Sequence, residues 1–282
     1  MPLPADNHVH TEFSWDADRG SMYHSCQRAL DIGLPSIAFT EHVDLAAWYI
    51  EDERTRRDPL IAPGLDATHH FHPPTFDADG YADAIDRCRH AFPDLRIVTG
   101  LEIGEPHWFA EHTAQLLASG EFTRVLGSQH SLQIGNDLRL VDEWYVGIAD
   151  EKGDAAAIRS YLAATIELVE QSDAFEVVAH IDYLTRQIDR SGRRHDPREF
   201  EDEYRETLRA VRDADRILEI NTRRPLDAVI VGWWHEVGGA AVSFGSDAHQ
   251  PDAVAADFAE AADLAEAAGF CPQQDPADFW RR

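Results

Sequence analysis

The sequence predicts an α/β protein built on a parallel sheet, and three observations predict it. Short apolar, β-branched runs alternate with longer amphipathic stretches along most of the chain, the pattern of repeated βα units. Nearly every one of those short runs ends in a histidine or a carboxylate. The 282 residues, 44% of them hydrophobic, are enough for one large α/β domain with a buried core.

The strands are expected at about 4–10, 36–42, 96–103, 124–130, 175–182, 216–222 and 241–249. Helices are expected near 20–33, 80–92, 106–119, 154–172, 197–214, 226–238 and 252–269. Ile158, Leu162, Thr165, Ile166 and Val169 share one face at a 3.6-residue period, which is what an amphipathic helix requires. Asp154, and Asp196 before Pro197, stand where helix caps belong. The exception is a segment from about 44 to 79, with Pro59, Pro63-Gly64, His69-His70-Phe71-His72 and Pro73-Pro74 and no clear period. It reads as a long loop insertion within a single domain spanning 1–282, placed after the second strand and so over the same end of the sheet as a site there.

Charge narrows the function. There are 52 acidic against 25 basic residues, a net charge of −27, and Lys152 is the only lysine. A nucleic-acid surface or an anionic membrane would be repelled by that field. Basic residues gather at Arg186 to Arg194 and at Arg223-Arg224, too few to make a basic groove. No run approaches the roughly 18 apolar residues of a membrane helix, the first residues lack a secretory pattern, and three cysteines, an odd number, fit reduced thiols. A cytoplasmic protein is expected.

The strand ends carry the chemistry. The first reads Asp6-Asn7-His8-Val9-His10, with His8 and His10 on one face by the period-2 rule. Asp16 follows in the next turn. The second ends Glu41-His42, the third Gly100-Leu101-Glu102, the fourth Gly127-Ser128-Gln129-His130 and the fifth Ala179-His180-Ile181-Asp182. The last ends Gly245-Ser246-Asp247-Ala248-His249. In a closed parallel barrel these ends converge on one mouth. Six histidines and three carboxylates there would be costly to bury without cations, and imidazole with carboxylate suits zinc, iron or manganese.

These strand-end motifs, in this order over about residues 6–249, resemble the polymerase and histidinol phosphatase (PHP) superfamily, with all nine ligand positions of its pattern filled. The resemblance implies a distorted (β/α)7 barrel of TIM-like type with two to three divalent ions (Zn, Mn or Fe) at the C-terminal ends of the strands. It implies one ion held by His8, His10, Glu102 and Asp247, and a second by Glu102, His130 and His180. A third would take Asp16, His42 and His249, leaving Glu102 as the bridging carboxylate. Asp16 departs from members with histidine there, and its harder oxygen favours manganese or iron.

Gly127-Ser128-Gln129-His130, His180-Ile181-Asp182 and Glu219-Ile220-Asn221-Thr222 most resemble the histidinol-phosphate phosphatase branch, although Gln129 and Arg223-Arg224 replace smaller residues. What this branch implies is hydrolysis of a small phosphate monoester, most simply L-histidinol phosphate. Arg186 and Arg223 or Arg224 would hold the phosphoryl oxygens, as a planar fork does well, and Glu102 and Asp247 would sit at the reacting centre. The alternatives are a phosphoesterase for nucleotides or other small esters, a nuclease, and a metal-binding module without catalysis. His24, His90, His107, His112, His195 and His235 fall on or beside helices and are assigned structural or solvated roles. His69, His70 and His72 belong either to a surface loop or to a lid over the substrate. Trp48 and Tyr49 open the same segment and either pack there or stack on an aromatic substrate.

Overall fold

The structure is a computed structural model that describes residues 3–141, 153–190, 192–193 and 195–282; Lys152 and Arg194 lie outside the described residues. The strands in chain order are β1 (Asp6–Val9), β2 (Ser36–Val43), β3 (Trp48–Tyr49), β4 (His70–Phe71), β5 (Arg96–Gly104) and β6 (Arg124–Ser128). They continue as β7 (Ser131–Ile134), β8 (Asp137–Leu140), β9 (Val177–Val178), β10 (Ile217–Asn221), β11 (Ala241–Gly245) and β12 (Trp280–Arg281). The helices are α1 (Met22–Ile32), α2 (Ala78–Ala91), α3 (Ala110–Ala118) and α4 (Asp154–Gln171). After them come α5 (Tyr183–Arg190), α6 (Glu201–Asp213), α7 (Ala228–Glu236) and α8 (Phe258–Ala267).

The main sheet runs β1-β2-β5-β6-β9-β10-β11-β12, parallel throughout except for the last pair. Its seven parallel strands are the seven expected. The curled sheet closes at one end only. His10 N donates to Ala248 O at 2.8 Å and Asp247 N to His8 O at 2.8 Å, joining the end of β1 to the chain just past β11. β12 pairs instead with the opposite end of β11, Ala241 against Arg281 and Val242 against Trp280. The result is a distorted (β/α)7 barrel, stitched shut at the mouth where His8, His10 and Asp247 sit.

Local sequence accounts for the elements. β2 is buried on both faces, as a parallel strand covered by helices should be. α1 starts at Ser21, whose side chain accepts from His24 N, and stops at Gly33, whose φ of 73° suits glycine. α4 buries Ile158, Leu162, Thr165 and Val169, the face expected from their spacing. Asp154 is not its cap: Gly153 holds that place and Asp154 lies in the first turn, where its charge still favours the helix dipole. Asp196 does cap, accepting from Arg198 N at the start of a 3-10 turn, Pro197–Phe200, that leads into α6. Among the described residues no helix is long and apolar enough to cross a membrane.

The segment at 44–79 is more structured than a loop. It contains β3, β4 and two 3-10 turns, and β3 pairs with β8 of the hairpin β7–β8 to make a second sheet, β4-β3-β8-β7. Trp48, Ile50, Ile61, Phe71 and Leu140 form a small core of their own, with Trp15 packed against it. Trp48 is fully buried and donates from Nε1 to Ser131 Oγ at 2.8 Å, so it packs here. Strands of two to four residues leave no room for a visible period, which is why the spacing concealed them. α5 also escaped the expected pattern, because it starts immediately after the strand end at His180–Asp182.

Candidate metal centre

Barrel curvature turns the C-terminal strand ends inward, and all nine expected ligands meet there. Glu102, on β5, lies fully buried at the middle. Its Oε2 is 3.0 Å from His8 Nε2, 3.3 Å from His10 Nε2 and 3.2 Å from His42 Nδ1. Its Oε1 is 2.6 Å from His180 Nε2 and 3.4 Å from His130 Nε2. The two oxygens thus face two different sets of imidazoles. Asp16 Oδ2 lies 3.0 Å from His249 Nε2 and 3.5 Å from His42 Nε2, and Asp247 Oδ1 lies 3.6 Å from both His10 Nε2 and His249 Nδ1.

These atoms form overlapping sets with mutual separations within 4.8 Å: His8, His10, Asp247; Glu102, His130, His180; His10, His42, His249; and His42, Asp44, His130. The first two coincide with, or fall within, the groups carried over from the family pattern. The chain's own groups fit divalent cations on two further observations. Asp16 Oδ1 and His42 Nδ1 are buried with no hydrogen-bond partner, an unmet demand that coordination would satisfy. His8 Nε2 and His10 Nε2 face each other at 2.9 Å, where two bare nitrogen lone pairs would repel unless an electrophile sat between them.

Electrostatics prepare the ligands. Burial pushes the Glu102 carboxyl up, but His8, His42, His130 and His180 outweigh it and hold the group well below the usual range. Asp247 follows the same logic, with burial opposed by Arg223, His8 and Arg186. Burial, with His42 and His249 beside it, keeps the His10 pKa well below the ordinary value, and burial likewise lowers that of His180. Ionised carboxylates and neutral imidazoles are the forms that bind metal; at His8, His42 and His130 burial is outweighed by the neighbouring carboxylates, which raise the pKa, so a cation binding there would displace a proton. His180 (φ 21°) and Asp247 (φ 52°) adopt a left-handed backbone, which concentrates conformational strain at the two strand ends that aim these ligands.

Several buried carboxylates around the ligands went unassigned in the sequence. Glu219 accepts from His8 Nδ1 at 2.6 Å and from His180 N at 2.7 Å, fixing the tautomer that leaves His8 Nε2 bare. A Cβ at Gly245 would overlap Glu219 and His8, so this close pairing depends on glycine. Glu41 accepts from Thr11 N and Oγ1 and from Ser14 Oγ, and burial raises its pKa to about 7. Glu105 accepts from His130 N and Ser131 N, and burial lifts it to about 7 as well. Asp44 takes His130 Nδ1 at 2.8 Å. Its signal was the period-2 rule, which puts it on the face of His42.

A cleft of about 400 Å³ opens over the centre, lined by Asp16, His42, His130, His180, Asp247 and His249 together with Tyr183, Arg186 and Arg223. Arg186 is 2% exposed and spends one nitrogen, Nη1, on Asp247 Oδ2 at 2.9 Å. Its Nε and Nη2 are buried with no hydrogen-bond partner. Arg223 Nη1 reaches Asp247 Oδ1 at 3.3 Å and His249 Nδ1 at 2.7 Å. Arg224 is not among the residues that line the cleft. His69, His70 and His72 do not line it either; His70 pairs instead with Asp137 on the second sheet, and His72 with Asp66.

Barrel, strand-end ligands and cleft together define a class, and the chain belongs to it: residues 6–223 match the profile of the PHP domain. Among curated relatives, it is 28% identical over 257 residues to the histidinol-phosphatase of Lactococcus lactis subsp. lactis (strain IL1403), covering 86% of this chain and 83% of that protein. It is 26% identical over 277 residues to a Clostridium acetobutylicum protein named "Probable histidinol-phosphatase", covering 95% and 94%. Among solved structures, the L. lactis histidinol phosphate phosphatase complexed with zinc, L-histidinol and phosphate superposes with a TM-score of 0.76 at 24% identity over 95% of each chain. That likeness shows the same fold.

Proposed function

We propose that this protein hydrolyses a small phosphate monoester, L-histidinol phosphate, to L-histidinol and inorganic phosphate, using two to three divalent cations. The observation that carries the reading is Arg186. A guanidinium buried to 2% exposure keeps two nitrogens unpaired at a cleft also lined by the expected metal ligands. A buried charge with unmet donors is costly unless an anion completes it, and a tetrahedral phosphoryl group offers the oxygens that a planar fork engages. Relatives named as histidinol-phosphatases supply the substrate.

His8, His10, Glu102 and Asp247 would hold one cation, Glu102, His130 and His180 a second, and Asp16, His42 and His249 a third. Each group offers two imidazoles, with two carboxylates in the first and one in each of the others, a mixed nitrogen and oxygen set that suits zinc, manganese or iron. Bound cations would supply activated water at neutral pH and neutralise developing negative charge. The chain's own residues do the rest. Arg186 and Arg223 orient the phosphoryl oxygens, so that water adds to phosphorus as the bond to the leaving alkoxide breaks. Asp247 tethers both arginines, and Glu219 keeps His8 in one tautomer.

Kinetics on a panel of phosphate esters tests the substrate. L-histidinol phosphate should be cleaved with a kcat/KM at least about tenfold above nucleoside monophosphates and simple sugar phosphates. That preference needs only ~1.4 kcal/mol of differential transition-state binding, less than one charge-assisted contact usually provides. Equal turnover across the panel, or a preference for a nucleotide, would retire L-histidinol phosphate and leave the wider monoesterase reading in place.

A further inference from the structure

One carboxylate near the centre stands outside the nine expected ligands, although it groups with His42 and His130. Asp44 lies one residue past β2, buried to 7% exposure. Both of its oxygens are engaged. Oδ1 faces His130 Nδ1 at 2.8 Å, and Oδ2 accepts from Trp15 Nε1 at 2.9 Å. The opposite side of the His130 ring presents Nε2 to Glu102 Oε1 at 3.4 Å. The surroundings are shaped to keep Asp44 there. A Cβ at Gly104 would overlap Asp44 Oδ1 and crowd His130 Nδ1, so glycine at the end of β5 leaves the space the pair occupies.

We infer that Asp44 is a positioning residue: by accepting the Nδ1 proton of His130 it fixes that ring in the tautomer and orientation whose Nε2 is free to coordinate. In a neutral histidine whose Nδ1 proton is held by a carboxylate the lone pair lies on Nε2, where it is aimed and made a stronger donor to a cation. Asp44 is close enough to His42 and His130 to be counted with them as a possible cation ligand. Its two oxygens, however, already take N–H groups, and its Oδ2 lies 3.8 Å from His42 Nδ1. The geometry therefore assigns it to orientation rather than coordination. Through Trp15, which packs on the core of the second sheet, the same carboxylate also ties the 44–79 segment to the barrel mouth.

The inference rests on His130 being a cation ligand, and the test separates the two. Metal-loaded full-length protein is titrated with a chelator while the released ions are counted, and folding is followed by circular dichroism. In Asp44→Ala one class of ion should leave at a chelator concentration roughly 10–100-fold lower than in the unaltered protein, the range for losing such a partner. The remaining ions should be released as before. In Asp44→Asn, whose amide oxygen can still accept, retention should lie between the two. Trp15→Phe removes the other donor and should release its ions as the unaltered protein does. Nitrogen-15 NMR of the histidine rings gives a readout of its own. It should show one His130 tautomer, protonated at Nδ1, in the unaltered protein and a mixture in Asp44→Ala. Should Asp44→Ala fail to fold, Asp44→Asn and Gly104→Ala carry the comparison, because Gly104→Ala displaces the carboxylate and should also weaken one ion. An unchanged release profile in a folded Asp44→Ala or Asp44→Asn, or equal weakening by Trp15→Phe, overturns the positioning role. If instead His130→Ala keeps every ion, the ligand assignment has failed and not the partner's role.

Discussion

Glu102 sits where the two halves of the centre meet, with Oε2 toward His8, His10 and His42 and Oε1 toward His130 and His180. Its replacement by alanine should therefore cost more than loss of any other ligand. Elemental analysis of Glu102→Ala should find at least one ion missing, with affinity reduced well beyond the ~10–100-fold typical of an outer partner. Full metal content and activity would contradict the bridging role. Arg186 makes a different prediction. Arg186→Ala should lower kcat/KM for the monoester by about 2–4 kcal/mol equivalent, as expected for removing a charge that stabilises the transition state. Arg186→Lys should recover only part, lacking the bidentate fork; steady-state kinetics of both variants decide it, and unchanged rates would return Arg186 to a structural ion pair with Asp247. Eight of the nine expected ligands could be picked out of the sequence because they stand at strand ends, and Asp16 because it follows in the turn after the first strand. The buried partners Glu105 and Glu219 could not, since a hydrogen bond between residues 25 or 211 positions apart leaves no mark on local spacing; Asp44 left only its place on the face of His42.

The elements that shape the mouth differ in how plainly they were written. Seven parallel strands stood out because β-branched runs buried on both faces read as continuous apolar segments. The second sheet did not, since β3 and β4 are two residues each and are stabilised by Trp48 and Phe71 packing across the sheet rather than by any repeat. The turn between β5 and α3 offers a test at this scale. His107 lies there with both ring nitrogens buried and unpartnered, and burial lowers its pKa from 6.5 to about 4. The folded protein therefore keeps the ring neutral while the unfolded chain begins to bind a proton below about 6.5. His107 therefore adds no pH-dependent cost above that value and a growing one as the pH falls toward 4. Thermal melts of His107→Gln beside the unaltered protein should show the variant gaining relative stability between pH 7 and 5. A constant difference across that range would mean that the ring is not held neutral.

At the scale of the molecule, closure of the barrel and assembly of the centre are one event. The bonds from His10 N to Ala248 O and from Asp247 N to His8 O that seal the sheet also place ligands from its two ends side by side. The chain carries a net charge of −27, so cations held at this mouth, with Arg186 and Arg223, would be its principal means of attracting a dianionic phosphate. The proposed hydrolysis requires those cations. The most direct measurement is phosphate release from L-histidinol phosphate by protein as purified, after stripping with a chelator, and after adding back zinc, manganese or iron(II), with bound metal counted at each stage. Activity should vanish with the ions and return in proportion as two to three per chain rebind. Undiminished phosphate release from protein shown to contain no metal would contradict it.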